Sequence, residues 1–321
     1  MFIYKRYFRK GVLIFMKRTR RKKKWSIWKT LIIIALVFIL AVVGYVLAVY
    51  LHAKNTVNNE MHNPVKAIDT SVGKDKLKGK DTLNILLLGI DAEEGESGRS
   101  DAMMVLTVDS KGDQMQIVSI PRDTRTEIVG KGIQDKINHA YAFGGAEMSI
   151  DTIESFLDMD LDYYVSMNMS GFKSLVDELG TIKVNSDMEW SEGKYDFNFG
   201  ENSMDGDKTM AYVRMRKQDP QGDFGRNKRQ REVIEGIINQ GASVASVPKL
   251  TNLVSILGKN METNLDMDDM QKLLLNYQGA RKNISEYQMT GEGTKIDGVY
   301  YLNVDDAEIE KVHDMIKEIG G

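Results

Sequence analysis

Leu31 to Tyr50 reads LIIIALVFILAVVGYVLAVY, twenty residues without one charged side chain. At a rise of about 1.5 Å per residue, a helix of that length crosses roughly 30 Å of hydrocarbon. A buried helix of a soluble domain would carry a polar face, and this run has none. A cleavable export signal would have a shorter apolar stretch, roughly 7–15 residues, ending at a small-x-small site. Val46 to Tyr50 offers no such site. The run is therefore expected to be an uncleaved transmembrane anchor.

Charge is divided sharply around it. Twelve of the 43 lysines and arginines precede Leu31 and no acid does, so the formal net charge of −3 hides a basic tail and an acidic body. Bases beside a span stay on the cytoplasmic side. The N-terminus is then inside and the body outside, with Trp25 and Trp28 at the inner interface and Tyr50 and His52 near the outer one. Anionic headgroups explain the basic tail without nucleic acid. Met16 opens MKRTRRKKKW and is an alternative start. The chain has no cysteine, which excludes disulfides, cysteine-ligated metals and a cysteine nucleophile.

The expected organisation is a cytoplasmic basic tail over 1–30, a transmembrane helix over 31–50, a polar extracytoplasmic linker over 51–80 and one domain over 81–321. Leu83–Gly89 (LNILLLG) is continuously apolar and ends in glycine, as a strand buried on both faces does. Ala102–Val108 and Gln114–Ile120 predict two further strands around a turn at 109–113. Asp162–Met167, Ile182–Asn185 and Val299–Leu302 predict more. Helices are predicted near 136–143, 147–158 and 171–179, the last closed by Gly180, and over 226–240, 248–257, 267–281 and 305–319. Strands interspersed with helices of this length argue for an α/β fold, a sheet with helices on both faces.

Four segments set charge beside glycine or a strand end. Asp91 follows the buried strand, where α/β proteins build their sites, although an acid there also serves as a cap or turn former. Gly98-Arg99-Ser100-Asp101 precedes the next strand. A fold-back of loop 92–98 would bring Asp91 and Asp101 together, which calls for a cation between them, Mg²⁺ if the substrate is a phosphate. A solvated acidic loop is the alternative, since Glu93, Glu94 and Glu96 lie in it. Ser119-Ile120-Pro121-Arg122-Asp123-Thr124 puts Arg122 at the same edge, or makes a surface turn pair with Asp123.

The fourth segment is the densest: Tyr212-Val213-Arg214-Met215-Arg216, then Gly222-Asp223-Phe224-Gly225-Arg226, then Arg229-Gln230-Arg231. If 212–216 is extended, Arg214 and Arg216 share a face. Gln230 lies one helical turn after Arg226. Arginines near a helix N-terminus form an anion site, because the guanidinium fork binds phosphate bidentately. A basic surface stripe is the other reading, less natural in an acidic body. His139 alone among the four histidines lies near these motifs and reads as structural. No Ser-His-Asp or zinc pattern is visible.

NILLLGID, GRSDAMM, SIPRDT, KINHAYAFGG, DYYVSMNMSGF, VDELG, YVRMR and GDFGRNKRQ, in this order, resemble the LytR-CpsA-Psr (LCP) family over about Leu83–Gln240. The resemblance implies α-β-α layers with a mixed central sheet and an apolar groove for a polyisoprenyl chain. It implies a phosphotransferase (EC 2.7.8 type) moving a glycopolymer, such as wall teichoic acid or capsular polysaccharide, from undecaprenyl pyrophosphate to peptidoglycan. Asp91 and Asp101 fall on the family's magnesium-binding acids, with Mn²⁺ the alternative. Arg99, Arg122, Arg214, Arg216, Arg226 and Gln230 fall on pyrophosphate-gripping positions. Asp223 falls on an acid expected to orient groups or to help activate the acceptor. Arg122, Asp223 and Asp101 are the expected catalytic residues. A pyrophosphatase or a non-catalytic sensor of lipid-linked polymer would use the same parts.

Overall fold

The computed structural model describes residues 8–9, 12–13, 27–92, 98–241 and 247–320, and side chains over 35–92, 98–241 and 252–319. The positions expected for Trp25, for the side chain of Trp28, and for Met16 and loop residues 93–97 lie outside the described residues. The chain divides into two units, Met1–Ala48 and Val49–Gly321.

The first unit holds a two-residue pairing, β1 (Phe8–Arg9) with β2 (Val12–Leu13), and most of helix α1 (Ile27–Thr56). Leu36, Val37, Phe38, Ile39, Leu40 and Val43 of α1 are all exposed. An apolar helix exposed on every side among the described residues fits a membrane span. Ala35–Met61 is long and apolar enough to cross a membrane.

The second unit begins in the last turns of α1, which run into a π-helical turn, Val57–Met61. Here the structure corrects the expected linker. Val57 and Met61 are buried against Met261, Ile68 enters the main core, and helix α2 (Thr70–Gly79) buries Leu77. Asp69 caps α2 by accepting from Ser71 N. The polar composition of 51–80 concealed four apolar residues spaced to reach the body.

Next come β3 (Leu83–Ile90), β4 (Ser100–Asp109), β5 (Gln114–Ser119), the hairpin β6 (Arg125–Ile128) and β7 (Ile133–Lys136), α3 (His139–Leu157), β8 (Tyr163–Asn168) and α4 (Met169–Leu179). A smaller β-rich section follows, of β9 (Ile182–Ser186), β10 (Trp190–Glu192), β11 (Tyr195–Phe197) and β12 (Gly200–Met204), and leads to α5 (Gly206–Arg214) and α6 (Asp223–Gly241). The chain ends in α7 (Val247–Asn260), β13 (Met261–Thr263), α8 (Met267–Asn276), β14 (Ile284–Gln288), the hairpin β15 (Glu292–Ile296) and β16 (Val299–Asn303), and α9 (Asp306–Gly320).

The central sheet is mixed, in the order β13-β8-β3-β4-β5-β14. β3 runs parallel to β8 and antiparallel to β4, and β5 runs antiparallel to β4 and parallel to β14. Alternation along β3 explains its apolar run, interrupted only by Asn84. Leu86, Leu88 and Ile90 face α3 and α9 through Ile150, Ile153, Val312 and Ile316, while Leu83, Ile85 and Leu87 face Leu77 of α2, Leu273 of α8 and Ile234 of α6. This is the expected α-β-α arrangement.

The two helices expected over 136–143 and 147–158 are the two pieces of α3, separated at Gly144 and Gly145, and the first starts only at His139 because 133–136 belongs to β7. The extended alternative for 212–216 does not hold, because Gly206–Arg214 is helical. Asp205 caps α5 by accepting from Lys208 N, and Thr209, Met210, Tyr212 and Val213 are buried at helical spacing. Arg214 is the last helical residue and Met215 after it is extended (φ −61°, ψ 129°), so Arg214 and Arg216 do not share a strand face.

Candidate active site

The antiparallel order of β3, β4 and β5 brings the end of β3, the start of β4 and the end of β5 to one edge. Asp91, Arg99, Asp101 and Arg122 therefore line a single polar cavity of about 470 Å³, together with Gly98 and Ala142. The loop between Asp91 and Arg99 is closed at its neck, where Asp91 N donates to Arg99 O at 3.0 Å. A Cβ on Gly98 would stand 2.6 Å from Asp91 O, so that neck requires glycine.

From the cavity wall an alternating chain of charge runs to the start of α6. Arg122 Nη1 donates to Asp101 Oδ2 at 2.6 Å, and its Nη2 lies 3.7 Å from Asp223 Oδ1. That same oxygen lies 3.0 Å from Arg226 Nη2 and 3.5 Å from Arg216 Nε. One carboxylate thus stands among three guanidinium groups. Arg122 Nε and Arg226 Nε are buried without a hydrogen-bond acceptor, and Arg226 Nη2, though ion-paired with Asp223, makes no hydrogen bond to it. Unmet donors of this kind are costly in the absence of an acceptor, and an anion with several oxygens would satisfy them. Burial pushes the Arg226 guanidinium below its ordinary value; Asp223 opposes that shift and Arg122 adds to it.

The structure brings together Asp101, Arg122, Asp223, Arg226 and Arg216, and sets Asp91 and Arg99 on the same cavity. It does not bring in Arg214, which is exposed at the end of α5 and makes no ion pair among the described residues. Gln230 instead lines a separate apolar cavity of about 140 Å³. Leu87, Met104, Val165, Phe172, Ile234 and Ile237 form much of that cavity, on the sheet face covered by α4 and α6. Gly89 and Ala102, paired across β3 and β4, also line it. Ala102 follows Asp101, so the greasy and polar cavities adjoin through one strand.

Sequence reading missed several supports. Asn138 Nδ2 donates to Asp101 Oδ1 at 3.4 Å, and Lys136 Nζ holds Asp123 at 2.6 Å. Arg229 and Arg231, counted with the basic segment, are buried structural ties. Arg229 donates to Asp219 Oδ2 and to Met215 O, both at 2.5 Å, and Arg231 donates to Ser119 Oγ, Glu286 and Gln288. Gly225 is required because a Cβ there would stand 1.7 Å from Asp219 Oδ2, and Gly222 has φ +59°. His139 pairs with Asp135 at 2.7 Å, as a structural histidine does.

A hard divalent cation suits Asp91 and Asp101, since oxygen ligands are what it selects. Among the described residues no group of three or more acids or histidines converges to hold a metal. An ion at this edge would have two protein carboxylates and take its other ligands from water and phosphate.

The LytR_cpsA_psr family model matches residues 44–318. The polyisoprenyl-teichoic acid–peptidoglycan teichoic acid transferase TagU of Bacillus subtilis is 42% identical over 306 residues, 94% of this chain and 99% of that protein. TagU of Halalkalibacterium halodurans is 46% identical over 297 residues, 90% of this chain and 97% of that one. The crystal structure of B. subtilis TagU superposes with a TM-score of 0.64 at 42% identity, covering 75% of this chain and 98% of that one. A structure of TagT bound to LIIa-WTA gives 0.66 at 32% identity, covering 82% and 98%. With a family model over residues 44–318 and relatives this similar over nine-tenths of the chain, the protein belongs to the LytR_cpsA_psr family.

Proposed function

We propose that the protein transfers teichoic acid from a polyisoprenyl-pyrophosphate carrier to peptidoglycan. The observation that carries this is the set of buried guanidinium nitrogens on Arg122 and Arg226 that make no hydrogen bond, close to an apolar cavity. A lipid pyrophosphate has the two halves these features fit. The polyisoprenyl tail occupies the cavity under α4 and α6, and Gln230 meets the phosphate where the tail ends. Arg122 and Arg226 bind the phosphate oxygens, with Arg99 and Arg216 gripping from the rim. Asp223 keeps three guanidinium groups aligned against their mutual repulsion.

In the reaction, an acceptor hydroxyl oxygen bonds to the phosphorus next to the polymer. The bond from that phosphorus to the bridging oxygen breaks, and polyisoprenyl phosphate leaves with the proton the hydroxyl loses. Such a transfer, of the EC 2.7.8 type, needs alignment and charge neutralisation more than a strong base. A Mg²⁺ ion at Asp91 and Asp101, or Mn²⁺ in its place, supplies further charge neutralisation when bound. The span over α1 and the basic tail support a single-pass protein with its N-terminus in the cytoplasm and the site outside.

The test is product analysis with purified lipid-linked polymer and peptidoglycan. Polymer bonded to peptidoglycan through a phosphodiester is expected. Free phosphorylated polymer as the sole product would make the protein a pyrophosphatase, and tight donor binding without turnover would make it a sensor.

A further inference from the structure

We propose that the rim formed by the turn 138–143, the β6–β7 hairpin and Tyr301 is the acceptor subsite, taking a glycan strand of N-acetylated amino sugars with Phe143 as its stacking platform. The proposal rests on the transferase reading for its choice of ligand. In-line displacement puts the incoming and departing oxygens on opposite sides of phosphorus. The apolar cavity assigned to the departing lipid lies on the sheet face covered by α4 and α6. The acceptor hydroxyl must then come from the opposite face, where α3 packs through Ile150 and Ile153.

The first turn of α3 is built for that approach. Asn138, just before it, holds Asp101, and Asn138 Oδ1 is buried with no hydrogen-bond donor. Ala142 lines the polar cavity, and the next residue, Phe143, is 43% exposed. Gly144 (φ −152°, ψ 20°) and Gly145 (φ +65°, ψ −151°) then set this turn apart from the helix that resumes at Ala146. Only glycine adopts the Gly145 conformation without strain, and glycine weakens a helix, so the break needs a reason outside helix stability. The break lets residues 139–143 follow the cavity rim instead of the helix axis.

The surroundings are those of a sugar site, with aromatic faces among oriented polar groups. Lys131 Nζ lies over one face of the Phe143 ring, 5.4 Å from its centroid, where a stacked sugar would displace it, and the His139 and Phe143 rings meet edge-on at 6.1 Å. Tyr301 Oη donates to Asp135 Oδ1 at 3.5 Å, and Lys136 Nζ lies 5.8 Å from the Tyr301 ring. Lys136 in turn holds Asp123, the neighbour of Arg122. A glycan stacked on Phe143 therefore lies along a continuous track that ends at the catalytic arginine.

The experiment titrates the full chain in detergent micelles with a peptidoglycan tetrasaccharide released by muramidase. Phe143→Ala should weaken binding about tenfold, the range of one aromatic platform. Phe143→Tyr should restore it, and Phe199→Ala, an aromatic 74% exposed elsewhere, should leave it unchanged. Equal melting temperatures and equal pyrophosphate affinity would confirm that Phe143→Ala is folded. Absence of saturable binding to the wild type, Phe143→Ala binding as well as wild type, or an equal loss in Phe199→Ala would overturn the proposal. Wild-type protein that binds the glycan through Phe143 yet makes no polymer-linked product would sink the transferase reading while leaving the subsite standing.

Discussion

Asp223 Oδ1 lies within 3.0–3.7 Å of nitrogens on Arg226, Arg216 and Arg122, so its removal leaves three cations facing one another. Asp223→Ala should lower the melting temperature, and millimolar pyrophosphate should recover more stability in the variant than in wild type, because the anion replaces the carboxylate. Equal pyrophosphate shifts in both would refute that role. Arg122→Ala removes the contact shared by Asp101 and Asp223 and one set of phosphate donors. Transfer should fall roughly 10²–10³-fold while donor binding falls less, since such contacts strengthen as charge develops. These pairings were only partly legible beforehand. Asp101, Arg122 and Arg226 stood out because strand ends and glycine-flanked bases mark sites. Arg229 and Arg231 looked the same in sequence, and only burial against Asp219 and Glu286 separates them from the functional arginines.

Individual elements show the same division. α6 begins with Asp223-Phe224-Gly225-Arg226, and Gly225 sits inside a helix, where alanine is normally the more stable residue. Here the sign should reverse. A methyl at Gly225 meets Asp219, the carboxylate that holds Arg229, so Gly225→Ala should cost about 1–3 kcal/mol in a denaturation experiment. α3 carries a pH effect. Burial raises the Glu154 carboxyl to about 7, with the Leu161 N–H opposing and Asp160, Asp151 and Asp162 adding to the rise. Between roughly pH 4.5 and 7 the folded protein keeps a proton that the unfolded chain has lost. Stability from this group is thus present in acid and lost as pH rises through about 7. Glu154→Gln still accepts from Leu161 N and should gain on wild type between pH 5 and pH 8, by about 1–2 kcal/mol after solvent screening. Melting curves at both values measure it, and a constant difference would exclude the effect. Neither feature has a sequence signature, since each depends on which segment packs against the helix.

On the scale of the whole molecule, the anchor makes a prediction that the lack of cysteine renders easy to read. A single thiol placed by Lys295→Cys, on exposed β15, should react in intact cells with a membrane-impermeant maleimide. Labelling only after lysis would reverse the orientation. The apolar run of α1, the two-faced strand β3, the α/β alternation and the order of the site motifs were all determined by local pattern. Hydropathy over twenty residues and side-chain alternation within one strand need no knowledge of neighbours. Three things were decided only by tertiary structure: the burial of 57–80 in the body, the helical state of 206–214, and which arginines face the cavity. Each depends on contacts between residues far apart in the chain, such as Leu77 with Tyr163 or Arg122 with Asp223, and no window of sequence contains both partners.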